Sequence, residues 1–188
     1  MPHELEKLYG LTADEILDAL AKRFRAKVTL EGAVAEVQME RKIKAAKQAG
    51  VVVRYEVYDL NGHPDFSIWL PGRKKPLFAE CKTVRDADEA YRKGGRITAY
   101  KVETQKTRAS KGDASSRFYG FDQFDILGVC LGKKTGKWDE FMFVRSARLS
   151  PHPKYPRKLA VMHPVPLPSA DSTAPWFRDL GSLLATFR

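Results

Sequence analysis

The sequence is short of cysteine, of acidic residues relative to basic ones, and of long apolar runs. Each shortage excludes something. Only Cys81 and Cys130 occur in the 188 residues, both inside apolar stretches, and no Cys-x-x-Cys is present. That argues against a disulfide framework and against a cysteine-ligated zinc module. The four histidines, His3, His63, His152 and His163, are scattered. His63 precedes Pro64-Asp65 but reads as a loop residue. No apolar run approaches twenty residues and no signal peptide is recognisable, so no membrane partner is expected. The two thiols therefore read as reduced core side chains of a cytoplasmic protein. There is no internal repeat.

What is present in excess is positive charge. Lysine and arginine number 33 against 23 aspartates and glutamates, a formal net charge of +10. Such a field favours polyanions through counterion release, which makes nucleic acid the natural partner. Charge does not choose between DNA and RNA. The hydrophobic content of 43% suits one ordinary globular domain with small appendages. We expect that domain over residues 1–150, with a proline-rich arm and a C-terminal helix over 151–188 packed on it.

Residues 63–85, HPDFSIWLPGRKKPLFAECKTVR, carry the chemistry. Two strand-like runs, 66–70 and 76–84, flank a turn at Pro71-Gly72 followed by Arg73-Lys74-Lys75. Folding this as a hairpin brings Asp65 level with residues 80 to 82. Alternation puts Glu80 and Lys82 on one side and Cys81 on the other. Two carboxylates and one ammonium then converge inside apolar strands, which is costly unless they pair or bind a metal. Asp65 and Glu80 suit a hard divalent cation, Mg²⁺ with Mn²⁺ as a substitute, that keeps several waters. Such a centre serves phosphodiester hydrolysis, with Lys82 orienting water or stabilising developing charge. The plainer alternative is an ion pair of Lys82 with Glu80 or Asp65 at a sheet edge.

Pro64-Asp65 followed by Glu80-Cys81-Lys82 resembles the signature of the PD-(D/E)XK nuclease superfamily. The resemblance covers roughly residues 30–150. It implies a restriction-endonuclease-like α/β fold, a mixed central sheet flanked by helices. It implies Asp65 and Glu80 as metal ligands and Lys82 as the catalytic lysine. Members often add a glutamate from the helix before the first strand, a place for Glu36 or Glu40. A homodimer acting on DNA is also implied, since cutting both strands calls for two sites. Restriction or defence, or a Holliday-junction resolvase, are the roles this leaves open. A DNA-binding subunit without catalysis is the alternative from another class.

The rest of the chain supplies further expectations. Thr12 and Glu15 form a capping box for a helix lined by Ile16, Leu17, Leu20 and Phe24. A second helix is predicted over 30–48, stopped near Gly50, with Leu30, Val34 and Val37 as its apolar stripe. Glu36, Glu40 and Lys44 lie on another stripe at i, i+4 spacing. Residues 51–58 read as a strand and 59–62 as a turn. Residues 86–95 read as a helix or loop. Residues 96–108 read as a strand or a helix start, ending in Gln105, Lys106 and Arg108. With Arg117, these are the candidate nucleic-acid contacts, Gln105 close to the scissile group. Glu103-Thr104-Gln105 is a rival second half of the motif, less well flanked. Residues 109–117 look like a surface loop, 118–125 like aromatic core, and 126–131 like a strand covered on both faces. Residues 140–149 alternate, and the prolines of 151–168 exclude a helix or central strand. A last helix is predicted from Pro175, capped by Ser172 or Thr173.

Overall fold

The computed structural model describes residues 2–60, 62–86, 88–106 and 112–187. The chain forms two compact units, Met1–Val34 and Ala35–Arg188. The first contains α1 (Glu4–Tyr9) and α2 (Ala13–Ala21). Both begin with capping boxes, His3 with Glu6 and the predicted Thr12 with Glu15. Phe24 is not on α2. It opens α3 (Phe24–Gln48), which runs on into the second unit.

The second unit is built on a five-stranded mixed sheet. Its strands are β1 (Arg54–Val57), β2 (Phe66–Trp69), β3 (Leu77–Thr83), β6 (Ile126–Cys130) and β7 (Phe141–Arg145), in the order β1-β2-β3-β6-β7. β3 and β6 pair parallel and the other neighbours antiparallel. Between β3 and β6 the chain forms β4 (Ala90–Lys93) and β5 (Arg96–Glu103). These join the later β8 (Met162–Pro166) in a three-stranded sheet, β4-β5-β8.

The strand period of two sorts the core into two clusters. Phe66, Ile68, Leu77, Ala79, Cys81, Ile126, Phe141 and Phe143 pack with α3 and with α5 (Leu180–Ala185). Leu127, Val129, Met142 and Val144 face the other way, toward Val102 of β5, Val165 of β8, Phe124 and Leu159. So β7 is buried on both faces rather than alternating. Helices flank the central sheet, but α3 and α5 share one face. The second sheet closes the other.

The buried stripe of α3 is Ala35, Met39, Ile43 and Ala46, while Val37 is exposed. Two alanines in that stripe let the helix lie close to the sheet, with Met39 and Ile43 filling the space between. A Cβ on Gly128 of β6 would stand 2.9 Å from the Met39 sulfur. That position must therefore be glycine for Met39 to sit there.

Residues 86–95 are not a helix. Gly94 and Gly95 both have positive φ, 56° and 77°, and form the two-residue turn of the β4–β5 hairpin. The prolines of β8 are tolerated because that strand is an edge. Val161 accepts from the Thr104 N–H, so odd-numbered residues turn their polar backbone toward β5. Pro164 and Pro166 fall at even positions, where no N–H is required. The last helix starts at Leu180, not at Pro175. Asp179 is its cap, accepting from the Ser182 N–H at 2.8 Å. Thr173 is spent on a preceding turn, its hydroxyl donating to the Trp176 carbonyl. α4 (Gly132–Thr135) is a single basic turn ended by Gly136.

Candidate active site

The β2–β3 register pairs Phe66 with Ala79. One step further, Asp65 stands opposite Glu80. The Asp65 carbonyl accepts from the Tyr58 N–H at 2.9 Å, which fixes this end of β2 against the chain leaving β1. Its carboxylate accepts from the Cys81 N–H at 2.7 Å. Glu80 and Lys82 share the face away from α3, and Cys81 lies in the core under α3. Because β3 is the third of five strands, this group sits mid-sheet and not at an edge.

Glu80 is buried, with 4% of its surface exposed. Its Oε1 receives the Lys82 ammonium at 2.5 Å and the Tyr119 hydroxyl at 2.6 Å. The Lys82 side chain keeps 28% exposure, but its ammonium is held on Glu80 and largely buried. Burial pushes the Asp65 carboxyl up to about 7, and the Glu80 charge adds to that. Lys82 and the Cys81 N–H oppose the rise without cancelling it, and Glu36 reinforces it. Burial alone would lower Lys82, but Glu80, Tyr119 and Asp65 outweigh it and hold the ammonium above its ordinary value. Burial likewise raises the Tyr119 phenol against the pull of Lys82, so the phenol stays a donor.

The two helix glutamates have separate fates. Glu40 accepts from the Tyr55 hydroxyl at 2.9 Å and pairs with Lys44 at 2.9 Å, interactions that lower its pKa. Glu36 has a solvent-accessible surface, yet burial of its carboxyl raises its pKa. Lys82 opposes that rise and Asp59 and Glu80 add to it, so Glu36 is within electrostatic reach of the cluster. Lys82 hydrogen-bonds Glu80, while Asp65 and Glu36 feel its charge.

Among the described residues, no three His, Cys, Asp or Glu side chains form a ready cage for a metal. The donor chemistry nonetheless fits Mg²⁺, which takes one or two carboxylates and otherwise water or phosphate oxygens. The reluctance of Asp65 to ionise beside Glu80 is what a bound cation relieves. His63 does not join. Its ring lies 4.0 Å from that of Tyr58, with Nδ1 2.7 Å from the Pro64 carbonyl.

The expected nucleic-acid contacts are partly gathered. The Lys106 N–H donates to the Arg117 carbonyl at 2.8 Å, and Arg117 Nε donates back to the Lys106 carbonyl at 3.3 Å. The Lys106 ammonium lies 5.5 Å from the centre of the Tyr119 ring, and Lys82 lies 5.8 Å from the same ring. That single ring links the candidate catalytic lysine to a candidate phosphate contact. Gln105 bridges to Phe118 through its backbone and turns its amide onto the Glu103 carboxylate. Arg108 lies outside the described residues.

Sequence reasoning placed Tyr119 only among core or stacking aromatics. A signal was there: Phe118, Phe121 and Phe124 surround it, and Tyr119 alone carries a hydroxyl that burial obliges to find a partner.

No family model matches the sequence, and no curated protein matches it. A solved structure of a bacterial homing endonuclease, I-Ssp6803I, is similar at 15% identity and a TM-score of 0.48. The alignment covers 78% of this chain and 83% of that one. A likeness this distant carries no functional weight. Among the described residues, no helix is long and apolar enough to cross a membrane.

Proposed function

We propose that this chain is a metal-dependent endonuclease of PD-(D/E)XK type that hydrolyses DNA phosphodiester bonds. The observation that supports it most is the cluster on β3. A buried glutamate, an aspartate pushed up to about 7 and a half-buried lysine meet in the middle of a sheet. Groups perturbed by burial together with a specific charge partner cluster at functional sites.

In this reading Asp65 and Glu80 would hold Mg²⁺, or Mn²⁺ in its place, and Glu36, whose carboxyl feels the charge of the cluster, would assist through water. Bound there, the cation supplies charge neutralisation at the phosphate and acidifies a water. Lys82, charged and held beside Glu80, orients the attacking water and stabilises the negative charge developing on the phosphate. Lys106 and Arg117 grip flanking phosphates, and Arg108 and Gln105 act from the same segment. Restriction or defence is the role we assign, working as a homodimer so that both strands are cut.

One observation favours a second reading. The Lys82–Glu80 contact at 2.5 Å is a complete ion pair without any metal, as a DNA-binding subunit lacking catalysis would have. Metal dependence separates the two. The test is incubation with supercoiled plasmid, linear duplex, a four-way junction and RNA, with Mg²⁺, Mn²⁺ or EDTA. Cleavage of duplex DNA that EDTA abolishes supports the proposal. Cutting confined to the junction reassigns the protein as a resolvase. Binding without cutting in every arm supports the subunit reading.

A further inference from the structure

Glu80 has two oxygens and the structure uses them unequally. Both donors that reach it, the Lys82 ammonium at 2.5 Å and the Tyr119 hydroxyl at 2.6 Å, land on Oε1. Among the described residues, none donates a hydrogen bond to Oε2. Tyr119 is itself firmly held. Its carbonyl accepts from the Leu159 N–H at 2.8 Å, and its ring meets Phe124 edge-on at 5.3 Å and 78°. A rigid donor on one carboxylate oxygen fixes the rotation of the whole group.

From this we infer that Tyr119 is a positioning residue, which pins Glu80 through Oε1 and so leaves Oε2 as the oxygen offered to a divalent cation. The inference rests on the metal-site reading above. Lys82 alone does not suffice for this, because a lysine ammonium is a flexible point charge that also has water-orienting work to do. A phenol hydroxyl on a packed ring has one direction in which to donate. Groups that orient a metal-bound carboxylate in this way typically matter by 10–100-fold in metal affinity or activity.

Tyr119→Phe removes one oxygen and keeps the ring against Phe124 and the two lysines. Mn²⁺ alone is titrated by calorimetry into the wild type, Tyr119→Phe and Asp65→Ala, with thermal melts as the check of folding. The expected result is a dissociation constant raised about tenfold or more in Tyr119→Phe. The melting temperature should stay close to that of the wild type. In cleavage assays the half-saturating Mg²⁺ concentration should rise, with the KM for DNA unchanged and activity restored at high Mg²⁺. Unchanged Mn²⁺ affinity in Tyr119→Phe would overturn the inference while leaving the nuclease reading intact. Absence of Mn²⁺ binding in the wild type would overturn both. Should Tyr119→Phe fail to melt cooperatively, Tyr119→His keeps a ring and an N–H donor. Near wild-type Mn²⁺ affinity there would support the donor role, and a loss as large as that of Asp65→Ala would contradict it.

Discussion

Two strand ends in this chain carry a glutamate followed two residues later by a long polar side chain, and only one of them faces a second acid across the ladder. Glu80-Cys81-Lys82 lies toward the end of β3, and Glu103-Thr104-Gln105 ends β5. On β3 the residue opposite the glutamate is Asp65, and the glutamate is buried. On β5 the residue opposite Glu103 is Met162 of β8, and the glutamate keeps 24% side-chain exposure. Glu103 is consumed by Arg85 at 2.7 Å, and the buried Thr104 hydroxyl donates to the Ala160 carbonyl at 2.8 Å. The difference lies in the partner strand as well as in the third residue, Lys82 on one and Gln105 on the other. A second acid across the ladder creates an excess of negative charge that asks for a cation. On β5 the Arg85 guanidinium, from the segment after β3, neutralises the glutamate.

The largest effect that would break this contrast is catalytic. Glu80→Gln should reduce Mg²⁺-dependent cleavage by about 10²–10³-fold or more, the scale of losing one electrostatic contributor. Glu103→Gln should stay within about threefold of wild type. Equal losses in single-turnover cleavage would show that the two strand ends are not distinct.

A smaller contrast exists one helical turn apart on α3. Glu36→Gln should weaken cleavage by about tenfold, because its carboxyl is felt by the cluster. Glu40→Gln should leave cleavage alone and lower stability by no more than about 1 kcal/mol, through the lost Tyr55 and Lys44 contacts. Cleavage rates beside melting temperatures for both variants decide this.

The site should also show in the stability of the metal-free protein. Asp65 has a folded pKa of about 7 against an ordinary 3.8. A raised folded value means its contribution is fully present below about pH 4 and is lost as pH rises through 7. Unfolding free energies of wild type and Asp65→Asn should therefore diverge between about pH 4 and 7, by about 1.4 kcal/mol per pH unit at most. The asparagine variant should be the more stable at pH 8. Parallel curves in urea titrations at four pH values would contradict the burial of Asp65 beside Glu80.

The smallest effects belong to the nucleic-acid contacts. Lys106→Ala and Arg117→Ala should each weaken DNA binding a few-fold in the presence of Ca²⁺. Each should reduce the slope of log affinity against log salt by about one, the mark of one phosphate contact.

The fold class was legible in the sequence, and so was the convergence of three charged side chains on one strand pair. Asp65, Glu80 and Lys82 stood out because charges embedded in apolar strands are rare and alternation fixes their relative faces. The same rule separated Cys81 from its neighbours and found β6 as a run covered on both sides. The α3 stripe was misread because size suggested Leu30, Val34 and Val37, while close approach to Gly128 selected Ala35, Met39, Ile43 and Ala46. The β4–β5 hairpin was signalled by Gly94-Gly95, but the charges of 86–93 masked it. Pro175 looked like a helix start, and only the structure shows Asp179 doing the capping. Tyr119 could not be joined to Glu80 from the sequence. The two are 39 residues apart, and their contact exists only once the segment carrying Tyr119 is laid against the face of β3 away from α3.

The most direct test of the β3 site is plasmid cleavage by Asp65→Ala and Lys82→Ala proteins, each shown by melting to be folded, beside wild type in Mg²⁺. The expectation is nicking or linearisation by wild type, abolished by EDTA and lost in both variants. Wild-type cleavage that survives in either folded variant would place the chemistry elsewhere in the molecule.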